Sequence, residues 1–366
     1  MHTHSKNWLP PFCPNPNCPF HKGLNTNWKF KRAGYYKRHI PPFRIQRFTC
    51  LCCNRSFSSQ TFSTSYWQKR PLLDSLILLK TVGCMSNRQI ARDLKVAPST
   101  IDRHIQRLGR HCLLFHSRMM ENAPDFSQIV ADGFESFEFS QYFPFHHNLA
   151  VEKGSDFFIY FNDSPLRRKG RMTPFQKKRR QELEEQLGRP DPKAIEKGMI
   201  ELIEEVLGST PVATLYTDDH PAYRRALKQV RRRIRHDVTP GNARRDQDNS
   251  LWEVNLLDLL IRHSSSNHKR ETIAWSKRRQ GSAERLAIFL VWRNYMKGRR
   301  EKERGSPTPA MTVGLTDRRL AVEDILNGRI FRTRMELPES WGKYYDRKVE
   351  TRALGRNREH DLSYAY

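Results

Sequence analysis

The sequence lacks an apolar run long enough to cross a membrane, and its first residues predict no signal peptide. Its longest apolar stretches, such as residues 287–292, are far shorter than the ~18–20 residues that a transmembrane helix needs. Residues 1–6 are polar, and no apolar signal-peptide core follows them. We therefore expect neither a membrane protein nor a secreted protein, and we predict a cytoplasmic location.

Acids are scarce in the first third of the chain. Of the 366 residues, 65 are Lys or Arg and 39 are Asp or Glu, which gives a formal net charge of +26. Residues 1–120 hold 20 of these bases but only three acids (Asp74, Asp93 and Asp102), so they carry +17 of the net charge. Such an excess predicts a polyanionic partner, and we expect the first third to grip nucleic acid.

The seven cysteines are an odd number, and their spacing is not that of a secreted disulfide framework. Four of them form two pairs, Cys13 with Cys18 and Cys50 with Cys53, spaced C-x4-C and C-x2-C. This spacing is close to that of a zinc ribbon, in which four thiolates close a tetrahedron around a structural Zn²⁺. The pattern therefore predicts a zinc site at these four cysteines.

The sequence around the cysteines supports a ribbon over residues 1–62. Residues 43–49 alternate in the way that predicts a strand leading into the second pair. Three other side chains remain open as replacements for one of the four thiols, namely Cys52, His21 and His39.

Residues 63–120 are predicted to form a helical DNA-binding domain. Residues 70–82 read as one helix. Its apolar stripe is expected to consist of Leu72, Leu76, Leu79 and Val82.

Two further amphipathic segments, residues 87–94 and 99–108, flank a tight turn and resemble a helix-turn-helix unit, with Ser86 as the first N-cap. Ile101 and Ile105 are expected to pack inward, together with Leu108. The alternative is an ordinary helical hairpin, although the local positive charge favours DNA contact. The outward side chains that we expect to contact DNA are Arg88, Arg92, Ser99, Thr100, Arg103, His104 and Arg107.

Residues 121–297 alternate strands and helices, with a charged, solvated insertion at 165–195. The order is three strands in an antiparallel meander, a helix, a strand, a helix and a strand, which is the order of a ribonuclease H-like mixed sheet. The predicted strands cover residues 128–132, 148–152, 157–161, 212–219 and 233–238, and the helices cover 194–207 and 221–230.

Two of the predicted strands end on a carboxylate. Asp132 ends the first strand and Asp218 the fourth, and these strands lie side by side in such a sheet. Because hard oxygen ligands suit Mg²⁺, the two carboxylates could share a pair of divalent cations.

A third acid is expected from the helices that follow, and two residues compete for this role. Glu253 is separated from Asp218 by 34 residues. Glu271 is expected on a helix with Lys277, Arg278 and Arg279, which would bind the flanking phosphates, and we prefer it for that setting.

These motifs together resemble a DDE-type transposase of the small bacterial insertion sequences. The resemblance rests on the cysteine pairs and on four short motifs, and it covers about residues 10–295. The motifs are GCMSNRQIA at 83–91, STI at 99–101, YTDDHPAY at 216–223 and IAWSK at 273–277.

The resemblance implies a ribonuclease H-like catalytic domain in which three acids hold two Mg²⁺ or Mn²⁺ ions. It implies nicking at the element ends and joining of the freed 3′-OH to target DNA, by a homo-oligomer at the bacterial nucleoid. By motif match Asp218 carries over as a ligand, with Asp132 before it, while relatives with an early third acid favour Glu253. The insertion and residues 298–366, a basic C-terminal extension, exceed the small family members.

Two other functions remain open. A transcription regulator would use the ribbon and helix-turn-helix unit to bind DNA and would carry a non-catalytic C-terminal domain. A nuclease would cut structured nucleic acid without joining it. The regulator does not explain why two strands carry aligned carboxylates. The extension could contact DNA or support dimerisation.

Overall fold

The computed structural model describes residues 8–23 and 27–359. The prediction for residues 1–6 therefore lies outside the described residues. Among the helices of the described chain, none is long and apolar enough to span a bilayer. The chain is a mixed α/β protein with two sheets, of which one is antiparallel and the other mixed.

The first sheet lies next to the cysteines. It contains β1 (Phe30–Lys37), β2 (Arg44–Cys50) and β3 (Ser56–Ser58) in the order β1-β2-β3. The predicted strand before the second cysteine pair is thus confirmed, and β2 ends on Cys50 itself. Aromatic rings fill the small core beneath the sheet, since Phe48 stacks on Phe57 at 5.6 Å and contacts Trp8 at 5.9 Å.

Three helices follow, namely α1 (Leu73–Val82), α2 (Asn87–Asp93) and α3 (Pro98–Met120). The predicted inward residues of the last helix are buried. α3 is much longer than predicted because it continues as a packing surface for α8 (Arg279–Val291). Gly109 permits this close approach, since a Cβ there would lie only 2.7 Å from the carbonyl oxygen of Glu284.

The apolar stripe predicted for α1 is confirmed at Val82 and wrong for its three leucines. This helix buries Ile77, Leu78 and Val82, whereas the three predicted leucines are nearly half exposed. Apolar side chains occur on both sides of α1, so periodicity alone does not select a face, and contact with α3 and α8 decides it. The exposed leucines are Leu72, Leu76 and Leu79.

The second sheet has five strands in the order β6-β5-β4-β7-β8. The first three form the predicted antiparallel meander, and β7 and β8 run parallel to β4. Their bounds are β4 (Gln128–Phe137), β5 (Pro144–Glu152), β6 (Phe158–Pro165), β7 (Val212–Asp218) and β8 (Arg233–Thr239).

Helices flank this sheet and agree with the sequence pattern. α5 (Ala194–Leu207) has the predicted bounds and buries Met199 and Ile203. α4 (Pro174–Leu187), inside the charged insertion, buries none of its residues. The remaining helices are α6 (Pro221–Leu227) and α7 (Trp252–Ser264), and a π-helical turn (Trp292–Met296) continues α8.

The C-terminal part of the described chain packs on both sheets. It contains α9 (Pro309–Thr312), α10 (Val322–Ile325) and α11 (Glu339–Tyr345). The indole of Trp341 is buried and donates to the Phe161 carbonyl of β6 at 2.7 Å. Phe331 lies edge-on to Phe12 at 5.1 Å, beside the cysteine ribbon. This segment therefore joins the ribbon to the larger sheet.

Candidate functional site

The four cysteines predicted as zinc ligands lie together. Their Sγ atoms all lie within 4.8 Å of one another. Cys13 Sγ is 3.7 Å from Cys53 Sγ, and Cys18 Sγ is 3.9 Å from Cys50 Sγ. Zn–S bonds of ~2.3 Å in a tetrahedron place the sulfur atoms ~3.8 Å apart. The cluster could therefore hold a zinc ion.

The environment of Cys50 favours the thiolate form that binds metal. Burial raises the pKa of this thiol, but donated hydrogen bonds outweigh it and lower the pKa to about 6. The donors are the Trp28 indole, 3.2 Å from Sγ, and the backbone N–H groups of Cys53 and Cys52. A thiolate is thus available at neutral pH.

The alternative ligands are placed elsewhere. The side chain of Cys52 is exposed. The ring of His21 is already engaged, with Nδ1 2.8 Å from the Cys13 carbonyl oxygen and Nε2 2.7 Å from Thr333 Oγ1. His39 is exposed and lines a cleft. Among the candidate ligands in the described residues, the four cysteines of the two predicted pairs form the group whose ligand atoms are spaced for one metal ion.

Asp132 and Asp218 come from neighbouring parallel strands. β4 and β7 pair in parallel register over residues 128–130 and 214–216. Two further residues in this register bring Asp132 opposite Asp218 on the same face, with backbones ~5 Å apart. The predicted adjacency of the strands is confirmed. The predicted strand end is wrong for Asp132, because the aromatic residues after it extend β4.

A third carboxylate, Asp258 of α7, lies close to Asp132. Burial and then the neighbouring charge of Asp132 raise the pKa of Asp258 to about 8, although Arg262 and Arg245 oppose this shift. Burial and then Asp218 raise the pKa of Asp132 to about 6. Asp258 Oδ1 is buried and has no hydrogen-bond partner in the described chain. Negative charge is thus disfavoured on Asp132 and Asp258, and a cation beside them would relieve that cost.

Local hydrogen bonds orient the first two acids. Asp132 Oδ1 accepts from the backbone N–H of Gly133 at 2.7 Å and lies 3.3 Å from the Tyr223 hydroxyl. Asp218 Oδ1 accepts from the backbone N–H of His220 at 2.9 Å. Each carboxylate therefore has one oxygen engaged with the protein, and its second oxygen can serve a ligand.

Sequence reasoning missed Asp258, although a signal for it exists. It is the single charged residue in the otherwise apolar run 256–261. A lone carboxylate inside an apolar helical stretch is rarely buried without a partner, so its presence points to a site.

Glu253 lies at the wrong end of the sheet to join this cluster. It lies in the first turn of α7 and accepts from the Gly154 N–H at 3.1 Å, with Lys153 Nζ 3.6 Å away. Lys153 in turn donates from its backbone to Gln128, the first residue of β4. Glu253 is therefore held at the start of β4, whereas Asp132 lies four residues further along the strand.

Glu271 is exposed in the loop 265–278, and the helix predicted around it is wrong. Thr272 organises this loop, because its hydroxyl donates to the Ser266 carbonyl at 2.8 Å and accepts from Ala274 N–H at 2.9 Å. Such side-chain bonds to nearby backbone compete with helix formation.

Most side chains predicted to contact DNA from α2 and α3 face solvent. Thr100 is half-buried. The exposed members are Arg88, Arg92, Ser99 and Arg103.

The outward orientation predicted for two residues of α3 is wrong. His104 is buried, with Nδ1 2.6 Å from Asp74 Oδ1 of α1. Arg107 donates to the Tyr66 carbonyl at 2.7 Å. Both partners are 30 or more residues away in the chain, so helical periodicity does not anticipate them.

The three bases predicted to bind phosphate before α8 differ in availability. Lys277 is exposed, with its ammonium 3.4 Å from the centre of the Trp275 ring. Arg278 donates to the carbonyl of Gly355 at 3.0 Å. Arg279 is inward and ion-paired with Asp163 at 2.8 Å, so its predicted phosphate contact is wrong.

Comparisons with known proteins give little further information. The sequence matches no family model and no curated protein. Among solved structures, it is similar to a chain in the cryo-electron microscopy structure of the simian T-cell lymphotropic virus intasome in complex with PP2A regulatory subunit B56 gamma. The identity is 15%, the TM-score is 0.24, and the match covers 55% of this chain and 58% of that chain. The chain thus spans little more than half of that structure's chain, at a similarity too low to support an argument.

Proposed function

We propose that this protein is a DDE-type transposase that cleaves DNA at insertion-sequence ends and transfers the strand to a target. The observation that carries the proposal is the proximity of Asp132 and Asp218 on neighbouring parallel strands, where burial and then the charge of Asp218 raise the pKa of Asp132, beside Asp258, whose Oδ1 is buried. A sheet in which the third, second, first, fourth and fifth strands are neighbours has the strand order of a ribonuclease H-like fold, which supports the same function.

The acidic cluster has the chemistry of a divalent-cation site. It offers hard carboxylate oxygens, and the unpartnered Asp258 Oδ1 is a buried acceptor without a donor in the described chain. In the described residues, the cysteine cluster is the one group of potential ligand atoms found at metal-binding spacing. The carboxylates are therefore spaced more widely than the cysteine sulfurs. A two-ion arrangement with Asp132 between the other two acids accommodates that spacing.

We assign the third ligand to Asp258, in place of Glu271 or Glu253. Mg²⁺ or Mn²⁺ bound there would supply activation of the attacking hydroxyl and stabilisation of the leaving oxygen. The protein's own contribution is orientation, since backbone N–H groups fix Asp132 and Asp218 before DNA arrives.

DNA would be held by the basic front of the chain. Arg88, Arg92 and Arg103 are exposed for phosphate contacts, and Ser99 begins α3 where a recognition helix meets base edges. Lys277 is the exposed base nearest α8 for a further phosphate.

The domain division remains part of this proposal. We assign a zinc ribbon to residues 1–62, a DNA-binding domain to 63–120 and a catalytic domain to 121–297. Residues 298–366 are assigned as an extension, and its described part packs beside the ribbon and on β6. We also propose assembly as a homo-oligomer on DNA.

The test uses labelled DNA fragments that carry the genomic sequence on either side of the coding region. The wild-type chain is expected to nick and join them when Mg²⁺ is added, and Asp218→Asn is expected to bind them equally well without cleaving. Asp248→Asn, which removes an exposed carboxylate, serves as the matched control.

Each other outcome selects another function. Cleavage that persists unchanged in Asp218→Asn would overturn the metal site. Specific binding without cleavage by the wild type would favour the transcription regulator, and cleavage without joining would favour the nuclease.

A further inference from the structure

A large cleft lies between the cysteine ribbon and the C-terminal segment, away from the acidic cluster. Its volume is about 1030 Å³. Its walls come from the ribbon, from residues 65–69 after it, and from residues 329–333 near the C-terminus. Two stretches of chain that are more than 250 residues apart in sequence thus build one concavity.

The cleft is strongly basic. Among the described residues that line it, none is Asp or Glu. Arg47, Arg55 and Lys69 are exposed, and none of the three forms an ion pair with a described residue. Low-dielectric walls of one charge sign focus the potential and attract a polyanion. The lining bases are Arg38, Arg47, Arg55, Lys69, Arg329 and Arg332.

Aromatic rings stand among these bases. Trp67 is 64% exposed and Tyr36 39% exposed, and both line the cleft. The backbone of Trp67 has φ +60°, a left-handed conformation that is unfavourable for a bulky residue and is often found at ligand-binding positions. An exposed ring held in this way can stack on a flat partner.

An amide in the same wall lacks partners. The side-chain oxygen and nitrogen of Gln68 are both buried and make no hydrogen bond within the described chain. A buried amide usually satisfies both atoms, so Gln68 is an unsatisfied polar group in the wall of the cleft.

We propose that this cleft binds an unpaired strand of DNA, with phosphates on the bases and a nucleobase stacked on Trp67. Lys and Arg side chains with no Asp or Glu among them favour binding of a phosphodiester backbone. Exposed aromatic rings favour binding of bases that are not already stacked in a duplex. The proposal goes beyond the proposed function, because it requires neither the carboxylates nor Mg²⁺. It also gives the C-terminal segment a role in contacting DNA.

The experiment measures binding of the zinc-loaded full chain to fluorescein-labelled oligo-dT and to a duplex of equal length, by anisotropy in buffer without Mg²⁺. Trp67→Ala is expected to weaken oligo-dT binding about 5- to 150-fold, the range for loss of one stacked base, and Trp67→Phe is expected to retain most of the affinity. The double variant Arg55→Ala/Lys69→Ala should lower the salt dependence of oligo-dT binding by about 1.4 in log–log slope, about 0.7 for each phosphate contact.

The matched control is Lys177→Ala/Lys178→Ala, which removes two exposed bases from α4, outside the cleft. Unchanged oligo-dT affinity in Trp67→Ala would overturn the proposal, as would an equal loss of duplex binding. An equal effect of the control pair would show general charge attraction instead of a site, and would also overturn it. Zinc content and thermal melting verify that each variant is folded. Because cleavage is not measured, Asp218→Asn should bind oligo-dT like the wild type even if the transposase proposal fails.

Discussion

The cysteine cluster and the acidic cluster that we propose as a cation site are built in opposite ways. The four cysteine sulfurs lie within 4.8 Å of one another. They come from two short segments, one with Cys13 and Cys18 and one with Cys50 and Cys53 at the end of β2. The acids Asp132, Asp218 and Asp258 come from two strands and a helix and are spaced more widely. Closed geometry suits an ion that holds a fold together, and open geometry suits an ion that must also reach a substrate.

Electrostatics differs within the cysteine cluster as well as between the two clusters. Donated hydrogen bonds lower the pKa of Cys50, so the ribbon stabilises this one ligand in its binding form. Burial raises the pKa of Cys18 to about 11 and also raises that of Cys13. Burial likewise raises the pKa of Asp258, whose Oδ1 has no partner in the described chain. Each cluster thus contains ligands whose charged form a bound cation would stabilise, and the ribbon adds one thiol that already favours its thiolate.

The largest expected effect is loss of the ribbon on removing one zinc ligand. Structural zinc contributes ~10–16 kcal/mol in small zinc-binding peptides, so Cys50→Ser should release the ion and unfold the ribbon. Metal analysis and limited proteolysis measure this, with Cys52→Ser, an exposed neighbour, as the control. Retention of one zinc ion per chain and a protease-resistant ribbon in Cys50→Ser would contradict the closed site.

The second effect concerns the third acid. Asp258→Asn should reduce Mg²⁺-dependent DNA cleavage about 1000-fold, equivalent to ~4 kcal/mol of barrier, because it removes a ligand charge next to Asp132. Glu271→Gln, in an exposed loop, should stay within about threefold of the wild type. Initial cleavage rates decide the matter, and the reverse order of the two variants would restore Glu271 as the third acid.

The third effect is a pH dependence of stability in protein that holds zinc but no Mg²⁺. The folded pKa of Asp258, about 8, exceeds the ordinary value of 3.8, so the folded state binds the extra proton between these values. The stability of the wild type should therefore fall as the pH rises from about 4 to about 8. Over the same range the melting temperature of Asp258→Asn should fall less than that of the wild type, with a difference of about 5 °C or more. Parallel melting curves for wild type and variant would show that Asp258 is not buried as described.

The smallest effect contrasts the acidic cluster with a solvated acid. Glu184 on α4 lies 2.7 Å from Arg167 and 3.0 Å from Arg189, and hydrogen bonding to Arg167 lowers its pKa. Because the partners Arg167 and Arg189 are exposed, Glu184→Gln should cost less than ~1 kcal/mol, and salt should diminish the difference. Chemical denaturation at two salt concentrations measures it, and a cost above ~2 kcal/mol would mean that α4 is part of the core.

The sequence predicted elements well where periodicity and neighbours agree. α5 was expected with its observed bounds, and the five strands of the larger sheet were all located. The adjacency of β4 and β7 followed from strand order, because a meander followed by crossover helices restricts the positions open to the fourth strand.

Several errors share one physical cause, which is long-range contact, whereas local hydrogen bonds of Thr272 explain the missing helix around Glu271. Asp74 draws His104 inward from 30 residues away, and contacts with α3 and α8 choose the face of α1. The third acid was sought among glutamates at expected spacing or beside bases, whereas Asp258 is marked by the apolar residues around it. Its pairing with Asp132 depends on how α7 lies across β4, which no local pattern contains.

Calorimetric titration of zinc-loaded protein with Mn²⁺ tests the central claim most directly, namely that Asp132, Asp218 and Asp258 bind divalent cations. The wild type is expected to bind Mn²⁺ and to gain thermal stability with its concentration, because the ion favours the folded state. Asp132→Asn is expected to lose both responses while keeping its zinc. Equal Mn²⁺ binding by the wild type and Asp132→Asn, or none by the wild type, would contradict the claim.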